Sequence, residues 1–198
     1  MNINDVTFDN FLTLSKEDQD SIFNDINLLK ELVRKNNISK HRYEHSLSVA
    51  ELSKELAMCH NVDPNKAYLA GILHDVCKFV DSDTSGYLES VLKKYEPDKL
   101  NGITGAYHSW AAYYYLKEKT NFNDEEVLNA IYNHTICMSD DPLSLIVYIA
   151  DKREPLRNIN DNVVDIARKD LKEAKRVLDI SVKEYIEGKN GKYFKDCL

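Results

Sequence analysis

The sequence predicts an all-α fold, a single-domain helical bundle spanning residues 1–198. Three observations carry this. Apolar residues recur at spacings of three and four along most of the chain, as on one face of a helix. No segment alternates convincingly with period two. Glycine and proline number only 6 and 4 in 198 residues, too few for many short strands and their turns.

The elements follow in order. Residues 1–20 are polar and acidic, with Phe8, Phe11, Leu12 and Leu14 as anchors for a short docked helix or an ordered arm. Ser21 can cap a helix carrying Ile22, Ile26, Leu29 and Val33. The next helix runs from about Ser39 to Cys59, with His45, Val49, Leu52, Leu56 and Cys59 in one stripe. Asp63 and Pro64 form an N-cap and first helical position. They open a helix that carries Ala67, Ala70, Gly71 and His74 and ends near Phe79. Asp81–Gly86 reads as a loop or cap. A short helix with Leu88, Val91, Leu92 and Tyr95 stops at Pro97, and Asn101–Gly105 connects it flexibly to a helix from about Ala106 to Lys119. Asn123, Asp124, Glu125 and Glu126 form a capping pattern before Val127, Ile131 and His134. Pro142 starts a helix with Leu143, Val147 and Asp151 one turn apart. After Asn160–Asp161 a last long helix carries Val163, Ile166, Ala167, Leu171, Ala174, Leu178 and Val182, and a polar tail begins at Gly188.

Hydrophobic residues make up 43% and charged residues 30% of the chain, as in ordinary globular proteins. The net charge of −7 argues against a nucleic-acid polymer as partner, because such binders usually present a basic face. The first residues lack the basic and apolar regions of a signal peptide, and no apolar stretch is long enough to span a bilayer. The expectation is a cytoplasmic protein without a membrane partner. Cys59, Cys77, Cys137 and Cys197 form no C-x-x-C pair and read as free thiols of a reducing compartment.

The chemistry lies in the histidines and aspartates. His74-Asp75 closes the apolar run Ala67–Leu73. A buried imidazole beside a buried carboxylate is costly unless something pairs with both. His45, His108, His134 and Asp151 also fall on or beside apolar stripes of separate helices. One such histidine is ordinarily a hydrogen-bonded core residue. Four imidazoles and two carboxylates on separate stripes gain nothing unless they converge, as ligands do in dinuclear helical bundles. Imidazole and carboxylate without thiolate suit Fe, Mn, Co, Ni or Zn rather than Cu(I) or Ca. Six ligands suit two ions sharing a carboxylate.

These residues resemble a known family. His45, His74-Asp75 and Asp151 look like the H…HD…D signature of the HD-domain superfamily of metal-dependent phosphohydrolases, which implies an HD-type bundle. Arg42–Ser46, Ala70–Lys78, Ala130–Thr135 and Ile149–Arg157 resemble one bacterial branch, the YqeK-like proteins, which hydrolyse diadenosine tetraphosphate symmetrically to two ADP. The resemblance implies that His45, His74, Asp75 and Asp151 hold one metal, and that His108 and His134 hold a second with Asp75 bridging. The ions would be divalent transition metals, Fe first, with Mn, Co, Ni and Zn as alternatives. A metal-bound hydroxide would attack a phosphorus of the bridge.

Polyphosphate also needs cations. Lys78, Arg153 and Arg157 are the candidates, with Arg42 behind them, and Asp75, Lys78 and Arg157 are read as the catalytic set. His41 reads as exposed, and Glu154 as positioning a ligand or capping Arg153. Tyr113-Tyr114-Tyr115 cannot all face one way on a helix, which leaves room for a homodimer. Two alternatives stand beside the leading one: an HD nucleotidase acting on mononucleotides, and a non-catalytic nucleotide-binding regulatory protein.

Overall fold

A computed structural model describes residues 5–11, 13–36, 39–78, 86–101 and 104–190, side chains at 8, 9, 101 and 184–190 excepted. Every regular element among the described residues is helical. The Phe8 side chain, Leu12, Phe79, Asp81 and Cys197, named above, lie outside the described residues. Among the described residues no disulfide links Cys59, Cys77 and Cys137, and no helix is long and apolar enough to cross a membrane.

The chain opens with α1 (Phe8–Phe11), α2 (Lys16–Asn24) and α3 (Ile26–Asn36). Phe11 is fully buried, its ring edge-on to Phe23 at 5.3 Å between centroids. The first long pattern starts earlier than expected. Ser15, not Ser21, caps α2 by accepting from the Asp18 amide, whereas the Ser21 hydroxyl donates to the Glu17 carbonyl inside the helix. Asp25 then divides the pattern, its carboxylate accepting from the amides of Asn27 and Leu28 at the start of α3.

The central elements match the sequence more closely. α4 (Lys40–Cys59) is capped by Ser39 and α5 (Pro64–Leu73) by Asp63 with Pro64 in its first turn. α6 (Tyr87–Tyr95) is followed by 3-10 turns at Pro97–Asn101 and Thr104–Ala106, and residues 102 and 103 of the expected connection lie outside the described residues. α7 (Tyr107–Lys119), α8 (Glu125–Asn133, capped by Asp124) and α9 (Pro142–Arg153, capped by Asp141) complete the centre. α10 (Val163–Ala167) and α11 (Leu171–Asn190) replace the single last helix. The break has a local cause: the amides of Lys169 and Asp170 both bond to the Ile166 carbonyl, and Asp170 then caps the Glu173 amide.

α4 packs against α5 and α9, while α8 packs against α5, α7 and α9. These five helices surround a core that includes Val49, Leu56, Ile72, Leu73, Leu128, Ile131 and Ile146, each at most 1% exposed. α5 lies so close to α4 that a Cβ built at Gly71 would sit 2.6 Å from the Ala50 Cα and 2.9 Å from its nitrogen. Backbone cannot yield as a flexible side chain does. Gly71 therefore sets the spacing that carries the end of α5, with His74 and Asp75, against the start of α4.

A substitution tests this spacing. Gly71→Ala is expected to destabilise the protein by about 1–3 kcal/mol, as overpacking of a filled core does. Urea unfolding would read the loss directly, and an unchanged midpoint would refute the close approach.

Candidate metal centre

Helix ends build this site. α5 stops at Leu73 rather than near Phe79, and His74 and Asp75 occupy a turn before residues 76–78 resume a helical path. The stop is made by the histidine itself. His74 Nδ1 lies 2.7 Å from the Gly71 carbonyl, the acceptor that a continuing helix would offer to the Asp75 amide. The same device ends α8: His134 Nδ1 lies 2.7 Å from the Ile131 carbonyl. A carbonyl partner assigns the proton to Nδ1, so Nε2 of each ring faces inward with a lone pair, the form a metal ligand needs.

His45 comes from the first turns of α4 and is oriented from the other side. Its Nδ1 is 3.1 Å from Glu154 Oε1, and its Nε2 is 3.2 Å from both His74 Nε2 and Asp151 Oδ1. Glu154 is 3% exposed and its other oxygen accepts from the Leu156 amide at 2.6 Å. It thus positions His45 and does not cap Arg153. His108, at the start of α7, places Nε2 3.0 Å from His134 Nε2 and 3.2 Å from the Thr135 hydroxyl.

Asp75 lies at the centre. Its Oδ1 is 3.4 Å from His74 Nε2, 3.4 Å from His108 Nε2 and 3.5 Å from His134 Nε2. This oxygen is buried and has no hydrogen bond among the described residues. Its Oδ2 faces Lys78 Nζ at 3.0 Å and Arg42 Nη1 at 3.1 Å. Oδ1 thus faces imidazoles of both groups, while Oδ2 also lies 3.9 Å from His45 Nε2, so the carboxylate stands between the two groups.

The six expected ligand residues therefore come together. Ligand atoms of His45, His74 and Asp151 lie within 4.8 Å of one another, as do those of His74, Asp75 and His134. The donor set fits divalent metal ions. Nitrogen lone pairs and an unbonded carboxylate oxygen crowd together at 3.0–3.5 Å, an arrangement that a Lewis acid relieves and a purely structural core does not need.

Electrostatics agree. Burial pushes the His74 pKa down to about 3 and the His108 pKa down to about 4, against the pull of Asp75. Both rings are neutral near pH 7, as ligands must be. Burial opposes the charge on Asp75, but His74, His108, His134 and Lys78 outweigh it and hold the carboxyl well below its usual range. Burial likewise opposes Asp151, and Lys152 and His45 overcome it. For His45 burial is outweighed by Asp151, Asp75 and Glu154, so its pKa rises.

The expected phosphate-binding cations divide into two groups. Lys78 and Arg42 lie on Asp75, with side chains 32% and 31% exposed. Arg157 follows Glu154 in a 3-10 turn, donates to the Asp151 carbonyl and reaches Asp151 Oδ1 at 2.8 Å, with 39% exposure. All three border the cluster and reach solvent. Arg153 does not join them. Two residues beyond Asp151 it lies on the far side of α9, bonded to Asp161 at 2.7 Å and to Ser181 at 3.3 Å. His41 is exposed, as expected. Of the three tyrosines, Tyr115 is buried while Tyr113 and Tyr114 are half-buried and donate to Glu125 and Glu96. Sequence reasoning missed Lys152, although it directly follows Asp151; its ammonium touches both Asp151 and the His134 carbonyl.

Comparisons with known proteins give the family. The HD domain family model matches residues 42–156, a span containing all six clustered residues. A Staphylococcus aureus protein named symmetrical bis(5'-nucleosyl)-tetraphosphatase is 34% identical over 152 residues, covering 74% of this chain and 77% of its own. A Mycoplasma genitalium protein named probable nicotinate-nucleotide adenylyltransferase/Ap4A hydrolase is 32% identical over 149 residues, 69% of this chain. The match spans only 41% of that longer relative. A solved structure from Clostridium acetobutylicum, described as a predicted HD superfamily hydrolase involved in NAD metabolism, superposes with a TM-score of 0.67 at 27% identity. It covers 87% of this chain and 88% of its own. With an HD-family match over more than half its length, the chain belongs to the HD-domain family.

Proposed function

We propose that the chain is a metal-dependent phosphohydrolase of dinucleoside polyphosphates, cleaving diadenosine tetraphosphate symmetrically to two ADP. The observation that carries this reading is the placement of Asp75 Oδ1 within 3.5 Å of three imidazole nitrogens. The names of the relatives supply the substrate class. His45, His74, Asp75 and Asp151 would hold one divalent ion; His108, His134 and Asp75 would hold the other, with Fe first among the candidates and Mn, Co, Ni and Zn behind it. Such ions supply Lewis acidity toward phosphoryl oxygens and lower the pKa of water.

The protein's own groups do the rest. Arg42, Lys78 and Arg157 ring the solvent side with donors suited to phosphate oxygens. Each also rests on a carboxylate of the cluster, so each orients a ligand as well as attracting an anion. Glu154 fixes the His45 ring and its tautomer. His74, Asp75, His134 and Asp151 are buried, whereas Arg42, Lys78 and Arg157 keep 31%, 32% and 39% of their side chains exposed, so these cations are where an extended, highly charged substrate would meet the cluster. This local field works against the net charge of −7, as clustered cations can.

Two experiments test the reading. Anaerobically purified protein is expected to carry about two transition-metal ions per chain by elemental analysis and to release ADP as sole nucleotide from diadenosine tetraphosphate. AMP with ATP would refute the symmetric cleavage. Turnover confined to mononucleotides would favour the nucleotidase alternative, and tight nucleotide binding without turnover the regulatory one. Asp75→Ala is expected to lose metal and activity together, and full activity in this variant would overturn the dinuclear reading.

A pH prediction follows from the buried rings. In chelated protein, His74 and His108 have folded pKa values of about 3 and about 4, below the ordinary 6.5. Below pH ~6.5 the unfolded chain binds protons that these native rings refuse, so stability falls with acidification. His45, raised above 6.5, acts oppositely but has gained its proton in both states by then. The melting temperature of metal-free protein is expected to fall steadily from pH 6.5 to pH 4.5. A flat profile would mean that the two rings are not buried neutral.

A further inference from the structure

We propose that Lys152 is a positioning residue that locks the two halves of the metal centre against each other. The inference rests on the metal reading above and adds a residue that this reading does not use. Lys152 Nζ donates to Asp151 Oδ2 at 2.9 Å and to the His134 carbonyl at 2.8 Å. Asp151 belongs to the half built with His45 and His74, and His134 to the half built with Asp75 and His108. One ammonium group thus spans from α9 to the turn that ends α8.

The contact does more than balance charge. Asp151 already has Arg157 on Oδ1 and on its main-chain carbonyl. A compensating cation has no need to reach the backbone of another helix. By holding Oδ2, Lys152 leaves Oδ1 as the oxygen that faces His45 and His74, at 3.2 and 3.7 Å. By holding the His134 carbonyl, it fixes the turn from which the His134 ring projects. That carbonyl lies beyond the last full turn of α8, where helix carbonyls lack intrahelical partners and favour a cation.

Lys152 is itself held from behind. Its side chain is only 16% exposed, and its ammonium lies 4.6 Å from the centre of the Tyr148 ring, one turn back on α9. Tyr148 is 2% exposed and donates to Asp179 Oδ1 on α11 at 2.7 Å. Lys175 grips the other Asp179 oxygen at 2.5 Å. A connected path of side chains therefore runs from α11 through Tyr148 to Lys152 and the metal centre. A cation over a desolvated ring is a favourable contact, and here it restricts where the ammonium can sit.

The test is a Mn2+ titration of chelated protein by calorimetry, with thermal melting of the metal-free form. Wild-type protein is expected to bind two equivalents. Lys152→Met is expected to weaken at least one equivalent by about 10–100-fold, the usual effect of removing a group that orients a ligand, and Lys152→Arg to recover most of the loss. A merely structural lysine would lower the melting temperature without changing the affinity of the folded protein. Tyr148→Leu removes the ring behind the ammonium and serves if Lys152→Met does not fold; it is expected to weaken the same equivalent by a smaller factor. Unchanged or tighter binding of both equivalents in these variants would overturn the assignment of Lys152 alone. A wild-type chain that takes up no Mn2+ would overturn the metal reading, and this assignment with it.

Discussion

The crowding around Asp75 Oδ1 is the constraint on which the rest of the structure depends. A carboxylate 3% exposed, with three imidazole nitrogens 3.4–3.5 Å from one oxygen, is an expensive object to bury. The surrounding fold is arranged to hold it. Two cations grip the opposite oxygen, and two helices end early so that their last histidines can face it. Gly71 lets α5 approach α4 closely enough to bring His45 into the same cluster.

The site is therefore a property of helix termini more than of helix faces. His74 and His134 each follow the last residue of a helix and each bond to the carbonyl three residues back. That bond stops the helix, selects the tautomer and aims Nε2 inward. Polar, lone-pair-bearing groups could not sit so close in the middle of two packed helices without displacing apolar contacts. At the ends, the apolar stripes of α5 and α8 continue undisturbed into the core, while the chemistry occupies the rim. The cations lie further out still, where each meets both a carboxylate and solvent.

Much of this was legible in the sequence, and the remainder was hidden for definable reasons. The long helices and the six convergent residues follow from spacing, because an imidazole on an apolar stripe is conspicuous. The caps at Asp63 and Asp124 follow from local chemistry, whereas those at Ser39 and Asp141 emerge only with the structure. The end of α5 at Leu73 does not, because it depends on a side chain folding back on its own backbone, and periodicity continues past it. The break before Leu171 was masked in the same way: Ala167 and Leu171 keep helical spacing across a turn made by Asp170. Arg153 and Lys152 exchange importance because a residue two positions past Asp151 already lies on the far side of α9. The residue next to Asp151 reaches across to α8, while Arg153 turns toward α11. Such a reach between helices requires knowing which helices are neighbours.

The most direct test of the account is anomalous diffraction from crystals of Mn2+-loaded protein. The account predicts two peaks, one among His45, His74 and Asp151 and one beside His108 and His134, with Asp75 contacting both. A single peak, or peaks away from Asp75, would contradict the dinuclear centre and return these histidines to the core.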